Sequence, residues 1–433
     1  MAKQAGTQDA VWVGVGVLLV AAGAALAERH GVGIGLRLAG LAVFAVWALR
    51  KRSLTPWIFF AMLAGAELGF DAPNVAVQMK VFSDIFLRLI KTIVAPLILA
   101  MLVGGIAGQG DLKSVGRMGV KALVYFEVVT TLALVIGLAA INLTKAGVGL
   151  AATAPVAALG TAPPPPRWDE VLLHMFPENL AKSVAEAQIL QVAVFAVFFG
   201  IALTMVSAEK RAPLLKFCES LGEVMFRFTN LVMYFAPLGV AGAMAYSVGH
   251  TGVHVLVNLG TMVLTLYGAL LVFALVVLLP AALLFRVPVL RFLRAVAEPA
   301  TIAFATATSE AALPSAMEQM EAMGVPRRIV AFVIPAGYSF NLDGSTLYLA
   351  VASVFVAQAA GMHLSIGQQL LMMATLMLTS KGVAGVPRAT MVVLLATAAT
   401  FHLPEGPIAV LLGVDVLMDM ARTMVNVTGN CLA

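Results

Sequence analysis

Long apolar runs alternate with short polar breaks along most of the chain. They fall at about Val11–Ala27, Gly33–Leu49, Pro56–Phe70, Phe82–Ile106, Ala122–Leu143, Ala187–Val206, Phe217–Ala245 and Val255–Phe285. Most of them approach the ~20 apolar residues that carry a helix across a bilayer, and the period-two alternation of a membrane barrel is missing. The pattern predicts an all-α, multi-pass membrane protein, and the expected location is the cell inner membrane. Beyond Arg294 the pattern changes. Ala295–Gly324 holds the polar tip Thr306-Ala307-Thr308-Ser309-Glu310 between apolar pieces too short to cross, so it is expected to enter the membrane and return.

The next apolar helix, from near Ile329, runs into the Gly-bounded polar cluster Gly337–Thr346. Unwinding there would free carbonyls beside the Asp343 carboxylate. After a turn at Gly361-Met362-His363 a second broken hairpin follows, with its tip at Thr379–Arg388, and it leads through Pro404 and Pro407 into the last helix. The two hairpins echo each other: Thr308-Ser309 with Leu313-Pro314, and Thr379-Ser380 with Val386-Pro387. Each precedes an Asn-rich break, at Asn341–Gly344 and at Asn426–Asn430. One enters from inside and the other from outside, the inverted repeat of secondary transporters, with the site where the halves meet.

Composition agrees with this reading. The 433 residues are 61% hydrophobic and 11% charged, with a mean hydropathy of +0.98, far beyond what a water-soluble core of this length needs. The net charge of +5 resides in short clusters between apolar runs. Arg50-Lys51-Arg52, the loop with Asp111, Lys113, Arg117 and Lys121, Glu209-Lys210-Arg211, the group Arg286, Arg291 and Arg294, and Arg327-Arg328 all fall on the cytoplasmic side. That distribution reports topology and does not form a nucleic-acid surface. Before Val11 the charges Lys3 and Asp9 offset one another, so the first run is read as a retained helix and not a cleaved signal. Thr144 to about Pro177, with Pro163–Pro166, is an extended extracytoplasmic loop. Cys218 and Cys431 stand in separate helices, and no metal or cofactor motif is present.

The candidate chemistry is concentrated in the last helix. Asp415, Asp419, Arg422, Asn426 and Asn430 follow at steps of four, three, four and four, one polar stripe on an α-helix. Ionisable groups at that depth are costly, by roughly 2.5–3.5 kcal/mol near mid-bilayer, and are retained where they face a pathway or a partner. A buried arginine requires an anion, and its planar fork suits a carboxylate. Two readings stand at this point: Arg422 pairs structurally with Asp415 or Asp419, or it shares with Asp419 a solute carrying both carboxylate and ammonium. An acidic amino acid meets the second requirement. Glu127, in an otherwise apolar helix with Thr130 and Thr131 a turn away, is either a carboxyl reaching the interface or a proton carrier. Nucleotide-binding and hydrolase signatures are missing, so transport, not catalysis, is expected, driven by an ion gradient.

At these residues the chain resembles the dicarboxylate/amino acid:cation symporter family, the glutamate transporters, and most of all the bacterial proton-coupled glutamate/aspartate symporters. The resemblance covers about Leu54 to Ala433. It rests on Ser339-Phe340-Asn341-Leu342-Asp343-Gly344-Ser345, on Ser380–Pro387, and on Asp419-Met420-Ala421-Arg422-Thr423. It implies a glutamate-transporter-like fold with two re-entrant hairpins and inverted repeats, and a homotrimer in the lipid bilayer working as an elevator. Residues 53–290 would be mainly scaffold and 291–433 the transport core, with 1–52 an extra amino-terminal hairpin. Arg422 would hold the side-chain carboxylate, Asp419 the amino group, and Thr423 and Asn426 the main-chain carboxylate. Thr308 and Ser309 in the first hairpin, Ser345, and Val386 and Thr390 around the second would complete the solute site.

The coupling set implied is Glu127, Asn341, Asp343, Lys381, Asp415 and Asn430. Sodium-coupled relatives have an aspartate where this chain has Asn430, and small or hydroxyl residues where it has Lys381 and Val383. Losing a carboxylate weakens a hard-cation site, and a fixed ammonium can occupy the ion's place. Glu127 stands where sodium-coupled archaeal relatives have an aromatic cation ligand, and Leu349 where mammalian members have a proton-binding glutamate. Protons are therefore expected before sodium. Arg388 is either a second anion contact or a rim residue facing water. The competing expectations are a C4-dicarboxylate symporter, a sodium-coupled acidic amino acid symporter, and a channel-like or non-transporting membrane scaffold.

Overall fold

The computed structural model describes the chain except for residues 1, 27–29, 52–53, 109–115, 151–172, 174–175, 187–188 and 381–388. The expected Pro163–Pro166 loop, Asp111 and Lys113, and the tip of the second hairpin from residue 381 to 388 therefore lie outside the described residues, while Thr379 and Ser380 at its start are described and buried. Among those described, every regular element is helical. Among the described residues, five helical stretches, some of them broken within, are long and apolar enough to cross a membrane: Val32–Lys51, Pro73–Gly104, Val120–Thr144, His254–Leu284 and Val333–Ala359.

The chain forms two compact units. Residues 1–88, 231–257 and 409–416 form the first. It contains α1 (Ala2–Ala25), α2 (His30–Lys51), α3 (Leu54–Asp71), the short α4 (Pro73–Gln78) and the start of α5 (Lys80–Ala107). Residues 89–230, 258–408 and 417–433 form the second, which carries the candidate site residues other than Asp415. Its elements include α6 (Gly116–Thr144), α7 (Leu180–Ala185), α8 (Ile189–Thr204) and α9 (Ala208–Met233).

The single helix expected over Phe217–Ala245 is two, α9 and α10 (Ala236–Thr251). Pro237 has no N–H for the Met233 carbonyl, so the helix cannot run through this point. The next span bends at a proline as well. After α11 (His254–Phe273) it passes through a π-helical turn, Ala274–Leu278, into α12 (Leu279–Leu284). Pro280 leaves the Val276 carbonyl without its usual donor, and the wider turn accommodates this.

The segment expected to turn back on itself is a helical hairpin, α13 (Val289–Thr306) packed on α14 (Ser309–Ala322). At its tip Ala307 takes a left-handed conformation, φ 52°. The hairpin's inner face, with Phe292, Val296, Ala312 and Met320, packs on Val330, Ile334 and Tyr338 of α15 (Arg327–Phe340). The expected unwinding is narrower than the whole Gly337–Thr346 cluster. Helix continues to Phe340, breaks at Asn341 and Leu342, and resumes as α16 (Asp343–Ala359).

α16 is the centre of this unit. Every residue from Asp343 to Ala357 is buried, which a helix apolar on all sides requires. It lies against α6, where the bare Gly137 lets the Leu347 carbonyl approach to within 2.6 Å of where a Cβ would stand. α17 (Ile366–Thr379) opens with a capping box, Ser365 with Gln368, and packs on α18 (Ala389–Thr400). The approach to the last helix is broken too, because α19 (Gly406–Leu412) stops at Gly413 before α20 (Asp415–Leu432) begins.

Candidate functional site

The polar stripe of α20 is buried along its whole length: Asp415 is 0% exposed, Asp419 6%, Arg422 1%, Asn426 3% and Asn430 1%. The stripe thus faces protein and not lipid, as the cost of desolvating its charges demands. It meets the break between α15 and α16. The Asn341 side-chain amide donates to Asp343 Oδ2 at 3.1 Å and to Asn430 Oδ1 at 2.9 Å, joining the two motifs.

A helix that starts inside protein has backbone N–H groups with no partner in its own first turn. In α16 two of these are satisfied from another helix. Asn426 Oδ1 accepts from Gly344 N at 2.8 Å and Ser345 N at 3.2 Å, while its Nδ2 donates to Ser345 Oγ at 2.9 Å. This cap requires close contact. A Cβ on Gly344 would collide with the Arg422 carbonyl, and one on Gly429 with Asp343 Oδ2. Gly344→Ala is therefore expected to cost about 1–3 kcal/mol through overpacking. A lower melting temperature of the purified protein checks it, and an unchanged one would show that the two helices can separate freely.

Arg422 is held on two sides. Its Nε donates to Asp419 Oδ1 at 2.9 Å, and Nη2 lies 2.8 Å from the same oxygen. The guanidinium also stacks 4.3 Å from the ring centroid of Tyr348, a residue with no exposed surface. The structural pairing left open by the sequence is thus present, with Asp419 as the partner. Tyr348 was not picked out from the sequence. The available signal was an isolated tyrosine one and a half turns after Asp343 in an otherwise apolar helix.

The other expected residues are distributed around this centre. Ser345, Thr390 and Thr423 are buried, and the Thr390 hydroxyl has no hydrogen-bond partner among the described residues. Thr308 and Ser309 stand half-buried at the tip of the first hairpin, where the Thr308 hydroxyl bonds to Thr306 at 3.2 Å. Glu127 is half-buried on α6. The hydroxyls of Thr130 and Thr131 turn back to the Phe126 and Glu127 carbonyls, at 2.5 and 2.6 Å. Two residues before Glu127 on α6, Tyr125 has a buried hydroxyl without a hydrogen-bond partner among the described residues. Lys381, Val386 and Arg388 lie outside the described residues.

A buried, paired arginine beside a broken helix inside an all-helical membrane protein marks a carrier of small solutes. The family model of the sodium:dicarboxylate symporter family matches residues 54–433, and the chain belongs to that family. It is 40% identical over 395 residues to the proton/sodium-glutamate symport protein of Geobacillus stearothermophilus, covering 89% of this chain and 94% of that protein. The proton/glutamate-aspartate symporter of Escherichia coli K12 is 41% identical, with 88% and 92% covered. The C4-dicarboxylate transport protein of Solibacter usitatus is also 41% identical, with 88% and 91% covered. The chain is accordingly a symporter and not an enzyme.

Proposed function

We propose that the protein takes up glutamate or aspartate together with protons, across the inner membrane. The observation that carries this reading is the buried pair Asp419–Arg422. Without solute the two charges neutralise each other. An acidic amino acid can replace both halves of the pair at once, its ammonium on Asp419 and its side-chain carboxylate on Arg422. A solute with carboxylates alone would leave Asp419 stranded, and a stranded buried charge costs several kcal/mol, about 3–5 for a broken pair. Glutamate and aspartate are therefore favoured over succinate and fumarate, the C4-dicarboxylate alternative that the names of several relatives raise.

In this reading Thr423 and Asn426 hold the main-chain carboxylate. Ser345, Thr390, Thr308, Ser309 and Val386 complete the enclosure. The break at Asn341 supports proton coupling. Beside Asp343 the neutral Asn430 presents an amide oxygen, bonded by Asn341, in place of a second carboxylate, which weakens a hard-cation site. Glu127 is the proposed proton carrier, with Lys381 and Asp415 in the coupling set. Residues 291–433 would form the core of an elevator carried by a homotrimeric scaffold drawn mainly from 53–290.

The test is uptake by proteoliposomes with sodium and pH varied independently. Accumulation of labelled aspartate should follow an inward proton gradient without sodium and should resist competition by succinate. Strict sodium dependence overturns the coupling, equal competition by succinate overturns the substrate, and non-saturable flux overturns transport.

A further inference from the structure

The amino-terminal hairpin lies outside the part of the chain that the family model matches. Its two helices meet along glycines seven residues apart, Gly16 and Gly23 on α1 and Gly33 and Gly40 on α2. A Cβ on Gly23 would stand 2.6 Å from Arg37 Cγ and 2.7 Å from the Gly33 carbonyl, and one on Gly40 would stand 2.9 Å from the Gly16 carbonyl. The stem of Arg37 therefore lies along this seam, in space that only a missing side chain leaves open.

The head of Arg37 leaves the hairpin. Its Nε donates to Glu67 Oε1 at 2.8 Å and its Nη2 to Asp71 Oδ1 at 2.9 Å, and its guanidinium stacks 4.9 Å from the Phe70 ring centroid. All three partners lie on α3. Arg37 is 5% exposed, so its charge is carried inside the protein. It stands ~20 Å along α2 from the basic end at Arg50 and Lys51. Its two carboxylate partners explain how it is retained there.

α3 is held on another side by α10. A Cβ on Gly69 would stand 2.8 Å from the Ala245 carbonyl, and one on Gly65 would collide with the Ala241 carbonyl. Without the hairpin, Glu67 and Asp71 would keep their place on α3 but lose their cation. We propose that the amino-terminal hairpin is a permanent cover for the carboxylate face of α3, fastened through Arg37, so that this unit requires it in order to fold. The proposal is independent of the solute carried.

A buried ion cluster predicts an asymmetry. Removing one member strands the rest, whereas replacing all members with apolar side chains is tolerated. Hydrogen exchange by mass spectrometry on the full-length protein in lipid nanodiscs reads this out over α2. R37M should speed exchange there by about tenfold or more, and the triple variant R37M/E67L/D71L should return it to the wild-type rate. If R37M proves too unstable to purify, a triple variant that folds and exchanges slowly carries the same conclusion. An R37M protein indistinguishable from wild type, or a triple variant no slower than R37M, overturns the clamp, as does a failure of both to fold.

Discussion

Replacing Arg422 by cysteine is expected to abolish uptake of glutamate and aspartate. Truncating one member of a buried, hydrogen-bonded charge pair costs about 3–5 kcal/mol, roughly two to four orders of magnitude in affinity. The loss is large because Arg422 Nε and Nη2 both meet the carboxylate at Asp419 Oδ1, in a place with almost no exposed surface. Part of the effect falls on stability, since the change takes the guanidinium away from the buried Asp419 carboxylate. The double variant with Asp419→Ser removes that charge as well and should recover the melting temperature while uptake of acidic amino acids stays absent. Competition by neutral amino acids of similar size is expected to appear in the single variant, because the anion requirement is gone and Asp419 still offers a partner for an ammonium. Unchanged affinity for aspartate in either variant would remove Arg422 from the site.

Glu127→Gln is expected to uncouple the carrier. The amide is close to isosteric with the carboxyl but cannot release or take up a proton. Exchange of labelled for unlabelled aspartate across proteoliposomes should persist, whereas accumulation driven by an imposed proton gradient should collapse completely to equilibration. The expectation rests on Glu127 being half-buried on α6, the helix packed most extensively against α16 at the base of the site. Accumulation equal to wild type would take Glu127 out of the mechanism and leave the cluster of Asn341, Asp343 and Asn430 to account for the coupling.

Much of the candidate site was legible beforehand. The spacing of Asp415, Asp419, Arg422, Asn426 and Asn430 makes a stripe on any α-helix, and an apolar setting makes a buried stripe the economical reading. The break near Asn341 was legible as well, because glycines and short polar side chains interrupt an apolar helix there. Its extent was not. Gly337 and Gly344 read as helix breakers, yet both lie within helix, and their missing side chains instead make room for Asn430 and for the Arg422 backbone. Whether a glycine loosens a helix or lets another approach it depends on what lies opposite, and a linear pattern does not carry that.

The same division holds for the chain as a whole. Local rules were enough for what depends on one helix at a time: apolar helices from apolar length, the hairpin of α13 and α14 from its polar tip, and the buried polar stripe of α20 from its period. Tertiary structure decided the pairings. It set Tyr348 beneath the Arg422 guanidinium, gave Asn426 the start of α16 to cap, and bound Arg37 to two acids thirty or more residues away. Each is a contact between helices distant in sequence. Its energy comes from desolvation and hydrogen-bond geometry, and those exist once the helices have packed.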